Sequence, residues 1–483
     1  MALAVGFNSL IDSFLAREID KPRTGRYSSC SVFLPQEGAV MSLQQPFIRV
    51  GLLDGRREIR GRLLGPARLE DGRTVDGPFQ ASPAGERVCL AFPDGNLRIE
   101  APHVVVEPVG QATTLLHGVT VGADFHWRQD RDLAYAGTME FSMRPDGTLL
   151  AVNILPLEEY LVSVISSEMN AKAPAEFLKA HAVVSRSWLM AALQRAGKRA
   201  RPAVSEARTN PQSPCIRWYE REDHNGFDVC ADDHCQRYRG TGPFVSGGAA
   251  DAVRATSGVF LVSGGEICDA RYSKACGGIT ERFETAWDDT AIPYLQSIGD
   301  APGESAPLRT EEDARNWLTG RPAAYCNTSD EKLLSRVLND SDRPTADFFR
   351  WRISYERERI EEILEEKSGI DFGRLMEIEP LQRGPSGRIR LLRIAGTKET
   401  VTVGKELEIR RWLSPSHLYS SAFVVDVERD GAGVPVRFVF QGGGWGHGVG
   451  FCQIGAAAMA DAGISAERIL LHYFRGAELR KLY

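Results

Sequence analysis

Residues 154–195 read ILPLEEYLVSVISSEMNAKAPAEFLKAHAVVSRSWLMAALQR. Pro156 stands where a first helical residue belongs. Tyr160, Leu161, Val164, Ile165 and Met169 then fall on one face of a helix. Asn170–Ala173 interrupts the periodicity, and a second helix follows Pro174. Its apolar face is Phe177, Leu178, Ala182, Trp188, Leu189, Ala192 and Leu193, with Gly197 as the expected stop. The segment therefore predicts a helical hairpin with Glu168 at its turn.

Outward from the hairpin the pattern changes. Residues 46–150 are rich in β-branched runs such as Phe47-Ile48-Arg49-Val50 and Val104-Val105-Val106. Asp54-Gly55, Asp71-Gly72 and Asp146-Gly147 read as turns between strands. Residues 198–240 are loop-rich, and 243–300 return to short strands. Residues 301–372 are strongly charged, with a Glu/Arg-rich helix over Tyr355 to Lys367, and read as an insertion or lid. Strands are expected again over 375–428. A Gly-rich turn at 442–450 precedes helices near 453–462 and 466–474.

The expected fold is α+β: a mixed domain in which the helical hairpin packs on β-strands, plus a β-rich N-terminal region and an α/β insertion. The expected division is a weakly ordered leader over 1–45 and a β-rich domain over 46–150. A hairpin-bearing domain follows over 151–300 and 400–483, interrupted by a charged insertion over 301–399. Met41 precedes the first convincing strand, so residues 1–40 read as a leader or a misassigned start.

The bulk numbers agree with a folded enzyme or binding protein. The chain has 483 residues, 43% hydrophobic and 25% charged, enough for roughly two to four cored domains. The net charge of −6 argues against bulk nucleic-acid binding, so no nucleic-acid partner is expected. No signal peptide is read at the N-terminus, and no run approaches the ~18 apolar residues of a membrane span. Nine cysteines, an odd number spread unevenly, fit a metal site with reduced thiols better than a disulfide framework.

The clearest chemical cluster is His-Asn-Gly-Phe-Asp-Val-Cys-Ala-Asp-Asp-His-Cys over residues 224–235. Imidazole and thiolate are ligand types that zinc prefers. His224, Cys230 and Cys235 are the first candidate ligands. His234 is a fourth ligand or lies just behind, because neighbours in extended chain point apart unless the backbone turns. Asp228, Asp232 and Asp233 read as turn formers or acceptors for the histidines. The alternative is a pair of buried thiols, or a Cys230–Cys235 disulfide, with solvated histidines.

Other positions carry two readings each. Glu168, flanked by Ile165 and Met169 at a helix C-terminus, has the apolar setting that would suit a general acid; spacing alone favours a solvated surface glutamate. In Gly442-Gly443-Gly444-Trp445-Gly446-His447-Gly448-Val449-Gly450, Trp445 could stack on a sugar and His447 could bond hydroxyls. The same run equally fits a tight turn around a core Trp. Arg186 could reach a carboxylate or sugar oxygen, or form a surface ion pair. Cys276, in Ala275-Cys276-Gly277-Gly278, reads as a turn thiol before a nucleophile, since no His pairs with it locally.

Taken in order, several of these motifs resemble the stage II sporulation protein D/LytB (amidase-enhancer) family. They are Ile154-Leu155-Pro156-Leu157-Glu158-Glu159-Tyr160-Leu161, Ser167-Glu168-Met169, and Leu178 through Ser187. Cys276-Gly277-Gly278 with Thr280, Pro293-Tyr294-Leu295, and Gly446-His447-Gly448-Val449-Gly450 running to Gln453-Ile454-Gly455-Ala456 complete the set. His181 stands where the family usually has Gln, and Cys452 where Ser is common.

The resemblance implies a peptidoglycan lytic transglycosylase. Such enzymes cut between N-acetylmuramic acid and N-acetylglucosamine in glycan strands stripped of stem peptides, leaving a 1,6-anhydro end. It implies Glu168 as the catalytic glutamate and a structural zinc in the 224–235 loop. Arg186, Ser187, His447 and Gln453 within the matched motifs, and Trp445 just before the last of them, are the candidate substrate-binding side chains. The implied partners are peptidoglycan strands and, on the alternative reading of a non-catalytic enhancer, a cell-wall amidase. The implied place of action is the cell envelope.

Overall fold

The computed structural model describes residues 44–122, 128–170, 172–198, 214–219, 224–232, 234–242, 245, 247–303, 306–339, 342 and 347–483. The expected leader lies almost wholly outside them. The chain is mixed α and β, with a β-rich N-terminal region.

That region contributes β1 (Phe47–Arg56), β2 (Ile59–Leu69), β3 (Thr74–Ala84), β4 (Arg87–Phe92) and β5 (Leu97–Ala101). It continues with β6 (His103–Pro108), β7 (Thr113–Val121), β8 (Gln129–Tyr135), β9 (Thr138–Met143) and β10 (Leu149–Pro156). These strands pair antiparallel, and β10 lies between β1 and β9. Asp71-Gly72 and Asp146-Gly147 turn the chain between strands as expected. Asp54-Gly55 does not: it lies inside β1, where the register slips against β10.

Strand β10 is buried along almost its whole length. Leu149 to Leu155 is buried on both faces, because one face meets the main core and Leu150, Val152 and Ile154 pack on Phe227 from the other. Pro156 ends this strand at φ −60° and ψ 145°, so it precedes the helix rather than opening it. Helix α1 (Leu157–Glu168) follows directly. Helix α2 (Ala175–Lys198) runs through Gly197 instead of stopping there.

A one-sided apolar face for α2 is not what the fold uses. His181, Ser185, Arg186 and Ser187 are buried along with Phe177, Leu178 and Leu189. The helix is enclosed by α1, by α3 (Gly247–Ala255), by strand Val259–Ser263 and by the C-terminal helices Gln453–Asp461 and Ala466–Tyr473. A helix surrounded on all sides takes its polar partners from within the protein, as Arg186 and Ser187 do. Helix α3 also corrects the expectation of strands from residue 243, since Gly247-Gly248 opens a helix.

One hydrophobic core runs from Ile48 and Phe141 through Tyr160 and Leu189 to Phe451 and Tyr473. A second is built from Trp351, Ile360, Leu375, Ile394, Val403, Ile409, Phe423 and Phe440. The charged helix is Arg357–Ser368, preceded by strand Arg350–Glu356, which pairs with Pro435–Gly443. The charged stretch is thus threaded into a sheet with the C-terminal part of the chain. Among the described residues, no helix is long and apolar enough to cross a membrane.

Candidate functional site

Glu168 is the last residue of α1, only 8% exposed. Its Oε1 accepts the Arg237 backbone N–H at 3.0 Å and the Tyr272 hydroxyl at 2.9 Å. Both bonds go to the same oxygen; among the described residues Oε2 carries none. Ile165 and Met169 are buried beside it as the sequence implies, yet the carboxylate's own partners are polar.

A charged shell backs this glutamate. Lys274 donates from Nζ to the Glu168 carbonyl at 3.1 Å and to Asp342 at 2.7 Å. Arg237 reaches Asp342 at 3.4 Å. Although burial opposes its charge, Lys274 and Arg237 hold the Asp342 carboxyl low, at about 2. His181 is buried near Glu168, packed against the rings of Phe177 and Phe451, which also touch each other, with Gln453 Nε2 at 3.3 Å from its Nε2. Burial lowers it to about 4, with Lys274 pushing the same way and Glu168 opposing. Arg237, Tyr272, Lys274 and Asp342 were not among the residues expected from sequence. The one local signal was that Arg237 follows Cys235 by two positions.

The His-Cys loop is folded as a ligand set requires. One nitrogen or sulfur from each of His224, Cys230, His234 and Cys235 lies within 4.8 Å of the others. Cys235 N–H donates to the Asp232 carbonyl at 3.0 Å, so the backbone turns and lets His234 and Cys235 face the same point. The Cys230 thiol is held well below its ordinary range, chiefly by its hydrogen bond with Cys235 and with help from His224 and His234, against burial. A readily formed thiolate gathered with imidazole nitrogens at one point is what a tetrahedral metal site needs. These four donors could hold a metal ion.

The loop is anchored on both sides. Val229–Cys230 pairs parallel to β1 at Val50 and Gly51. Gly51 is required there, because a Cβ would stand 2.7 Å from the Phe227 ring. Asp228 accepts the Arg49 N–H and Asp232 accepts the Gly122 N–H, so these aspartates pin backbone; Asp233 lies outside the described residues. Immediately beyond Cys235, Gln236 accepts from Tyr160 of α1 and donates to the Ser185 carbonyl of α2. Tyr238 donates to Asn153 of β10. The ligand loop and the Glu168 carboxylate are therefore joined through three consecutive residues.

The other expected residues have different surroundings. Arg186 is fully buried and forms a two-pronged pair with Glu158 at 2.9 and 2.6 Å, with Nη1 on the Val259 carbonyl. Ser187 is also buried, donating to the Val183 carbonyl and accepting from Leu261 N–H. Both tie α2 to its neighbours and leave no face for a ligand. Gln453 is buried against His181.

Trp445 and His447 are half-buried. Trp445 packs on Tyr419 and Phe348, and His447 stands edge-on to Trp287. Burial, then Arg271 and Arg388, hold His447 neutral. The surrounding glycines serve close approach within the protein: a Cβ on Gly448 would meet the Arg388 guanidinium at 2.3 Å.

Residues 145–262 match the family model described as stage II sporulation protein. Residues 281–450 match a second, described only as a domain of unknown function. The chain is similar to the amidase enhancer of Bacillus subtilis (strain 168), 27% identical over 244 residues, which are 47% of this chain and 32% of that protein. It is similar to stage II sporulation protein D of Bacillus amyloliquefaciens, 23% identical over 68% of this chain and 75% of the relative. An uncharacterized protein of Brachyspira hyodysenteriae is 24% identical over 72% of each chain. The chain thus spans about a third of the amidase enhancer and about three quarters of the sporulation protein.

Proposed function

From a chain that belongs, through residues 145–262, to the stage II sporulation protein D/LytB family, we propose a peptidoglycan lytic transglycosylase acting in the cell envelope. The observation that carries the reading is Glu168: a nearly buried carboxylate with one oxygen held by two donors and the other, among the described residues, without a hydrogen bond. That asymmetry suits a group that gives and retrieves a proton at a fixed point.

In this reading protonated Glu168 delivers its proton from Oε2 to the glycosidic oxygen, and the bond from that oxygen to the muramic anomeric carbon breaks. The resulting carboxylate takes the proton of the muramic C6 hydroxyl. The C6 oxygen then closes on the anomeric carbon, giving a 1,6-anhydro ring and returning Glu168 to its starting state. No water attacks, so the second carboxylate of ordinary glycosidases has no task here. Tyr272 and the Arg237 N–H fix Oε1, and Asp342 keeps Lys274 and Arg237 in place behind it. Trp445 and His447, which retain exposure, are the remaining candidates to meet sugar. A zinc ion on His224, Cys230, His234 and Cys235 would fasten the loop that presents Arg237, with no part in proton transfer.

The relative named amidase enhancer favours one second reading, a non-catalytic protein that binds glycan or a cell-wall amidase and raises the amidase's activity. Denuded glycan incubated with the parent protein and with Glu168→Gln separates the two. The transglycosylase reading expects anhydro-muramyl products from the parent alone and none from the variant. The enhancer reading expects no products from either, and equal stimulation of an added amidase by both.

A further inference from the structure

A second cluster of metal-binding side chains lies away from the His-Cys loop, in the interior. It consists of Cys276, Asp300, Cys326 and Cys452, all buried, with one ligand atom from each within 4.8 Å of the others. The four come from four separate segments: the turn at Cys276-Gly277-Gly278, the Asp300 bridge region, the stretch before Asn327, and the residue that precedes helix Gln453–Asp461. We propose that these four residues form a closed, zinc-type metal site that fastens the segment around Cys326 to the C-terminal helices.

The geometry fits the ion. Two sulfurs on a tetrahedral zinc with bonds of about 2.3 Å stand about 3.8 Å apart, and Cys276 Sγ and Cys326 Sγ are 3.7 Å apart. That is far beyond the ~2.05 Å of a disulfide. The surroundings fit as well. Cys452 Sγ accepts the Cys276 N–H at 3.2 Å and sits at a helix N-terminus, where a thiolate is favoured. Asp300 accepts from the Tyr473 hydroxyl at 2.6 Å on Oδ1 and from Cys326 N–H at 2.8 Å on Oδ2, which orients it as a ligating carboxylate is oriented. Among the described residues no Lys, Arg or His forms an ion pair with Asp300. Three thiolates, a carboxylate and a dication leave an excess of negative charge. Arg350, bonded to the carbonyls of Gly277, Gly320 and Trp317, lies close enough to act electrostatically on Cys276 and Cys326 and offsets part of it. With four protein ligands and no open position, the site is structural.

The site does not depend on the reading of Glu168 and is tested without glycan. Metal content of the full chain, purified from zinc-supplemented cells, is measured for the parent, Cys235→Ser and Cys326→Ser. The expected result is about two zinc ions per parent chain and about one in each variant, as two independent four-ligand sites require. Because Cys326→Ser could fail to fold, cobalt is also exchanged into Cys235→Ser, whose remaining site should give the intense absorption of tetrahedral cobalt bound by thiolates. A parent that carries one zinc, lost in Cys235→Ser, overturns the proposal. So does a Cys235→Ser protein without the cobalt band, whether its Cys276 and Cys326 are free or joined as a disulfide by intact mass.

Discussion

The backbone N–H of Arg237 donates to Oε1 of Glu168 at 3.0 Å, across 69 positions of sequence. Arg237 lies two residues beyond Cys235, so the loop that gathers His224, Cys230, His234 and Cys235 also supplies a donor to the carboxylate. Moving the loop moves that donor.

Cys235→Ser therefore costs stability first. Loss of a structural metal removes several kcal/mol of folding energy, and the thermal midpoint should fall by about 10 °C or more. Cutting per folded molecule, measured at low temperature, should stay within about a hundredfold of the parent, the worth of one hydrogen bond to a carboxylate. Chelation that abolishes cutting while circular dichroism and the midpoint stay unchanged would contradict this, and would make the metal catalytic.

Tyr272→Phe removes the hydroxyl that bonds Glu168 Oε1 and also meets Gln236, while the ring remains against His181. A hydrogen bond to a charged group contributes about 1.5–3 kcal/mol, so turnover should fall about ten- to a hundredfold with glycan binding unchanged. An unchanged rate would remove Tyr272 from the site.

Arg186→Ala acts on the fold. It leaves Glu158, 15% exposed, without the guanidinium that pairs with both its oxygens. Breaking such a buried pair costs about 3–5 kcal/mol, read as an early urea midpoint. Arg186→Lys should restore little, since a single ammonium cannot replace the fork. A stable Arg186→Ala protein with weakened glycan binding would return Arg186 to the substrate.

Acid should unfold the protein in two stages. His181 is lowered to about 4 in the folded chain against an ordinary 6.5, so the unfolded state binds the extra proton first. Its contribution is complete above pH 6.5 and is lost as pH falls towards 4, on the order of 3 kcal/mol. Asp342, lowered to about 2, contributes above its ordinary value of 3.8 and is lost between there and pH 2. His181→Gln should flatten the first stage relative to the parent. His417, lowered to about 3 by burial and nearby guanidiniums, will keep part of the slope. Identical slopes between pH 6.5 and 4 would contradict the burial of a neutral His181.

The two helices were legible because helical periodicity is local: α1 and α2 fall close to where Tyr160, Leu161, Phe177 and Leu189 put them. The His-Cys loop was legible because its four donors lie within twelve residues. The all-round burial of α2 was not, since it depends on helices and a strand that follow far along the chain. This is why Arg186 and Ser187 read as candidates to meet substrate. Tyr272 lies 104 positions from Glu168, and Cys276 lies 176 from Cys452. No spacing rule joins such residues. The threading of Arg350–Glu356 against Pro435–Gly443 was hidden in the same way, behind a stretch whose charge suggested an insertion or lid.

Mass spectrometry of purified denuded glycan, incubated with the parent chain and with Glu168→Gln at equal folded concentration, is the most direct measurement. The account predicts 1,6-anhydro-muramyl ends from the parent and a loss of at least about a hundredfold in the variant, the scale of a removed general acid. Anhydro products formed as fast by Glu168→Gln as by the parent would contradict it.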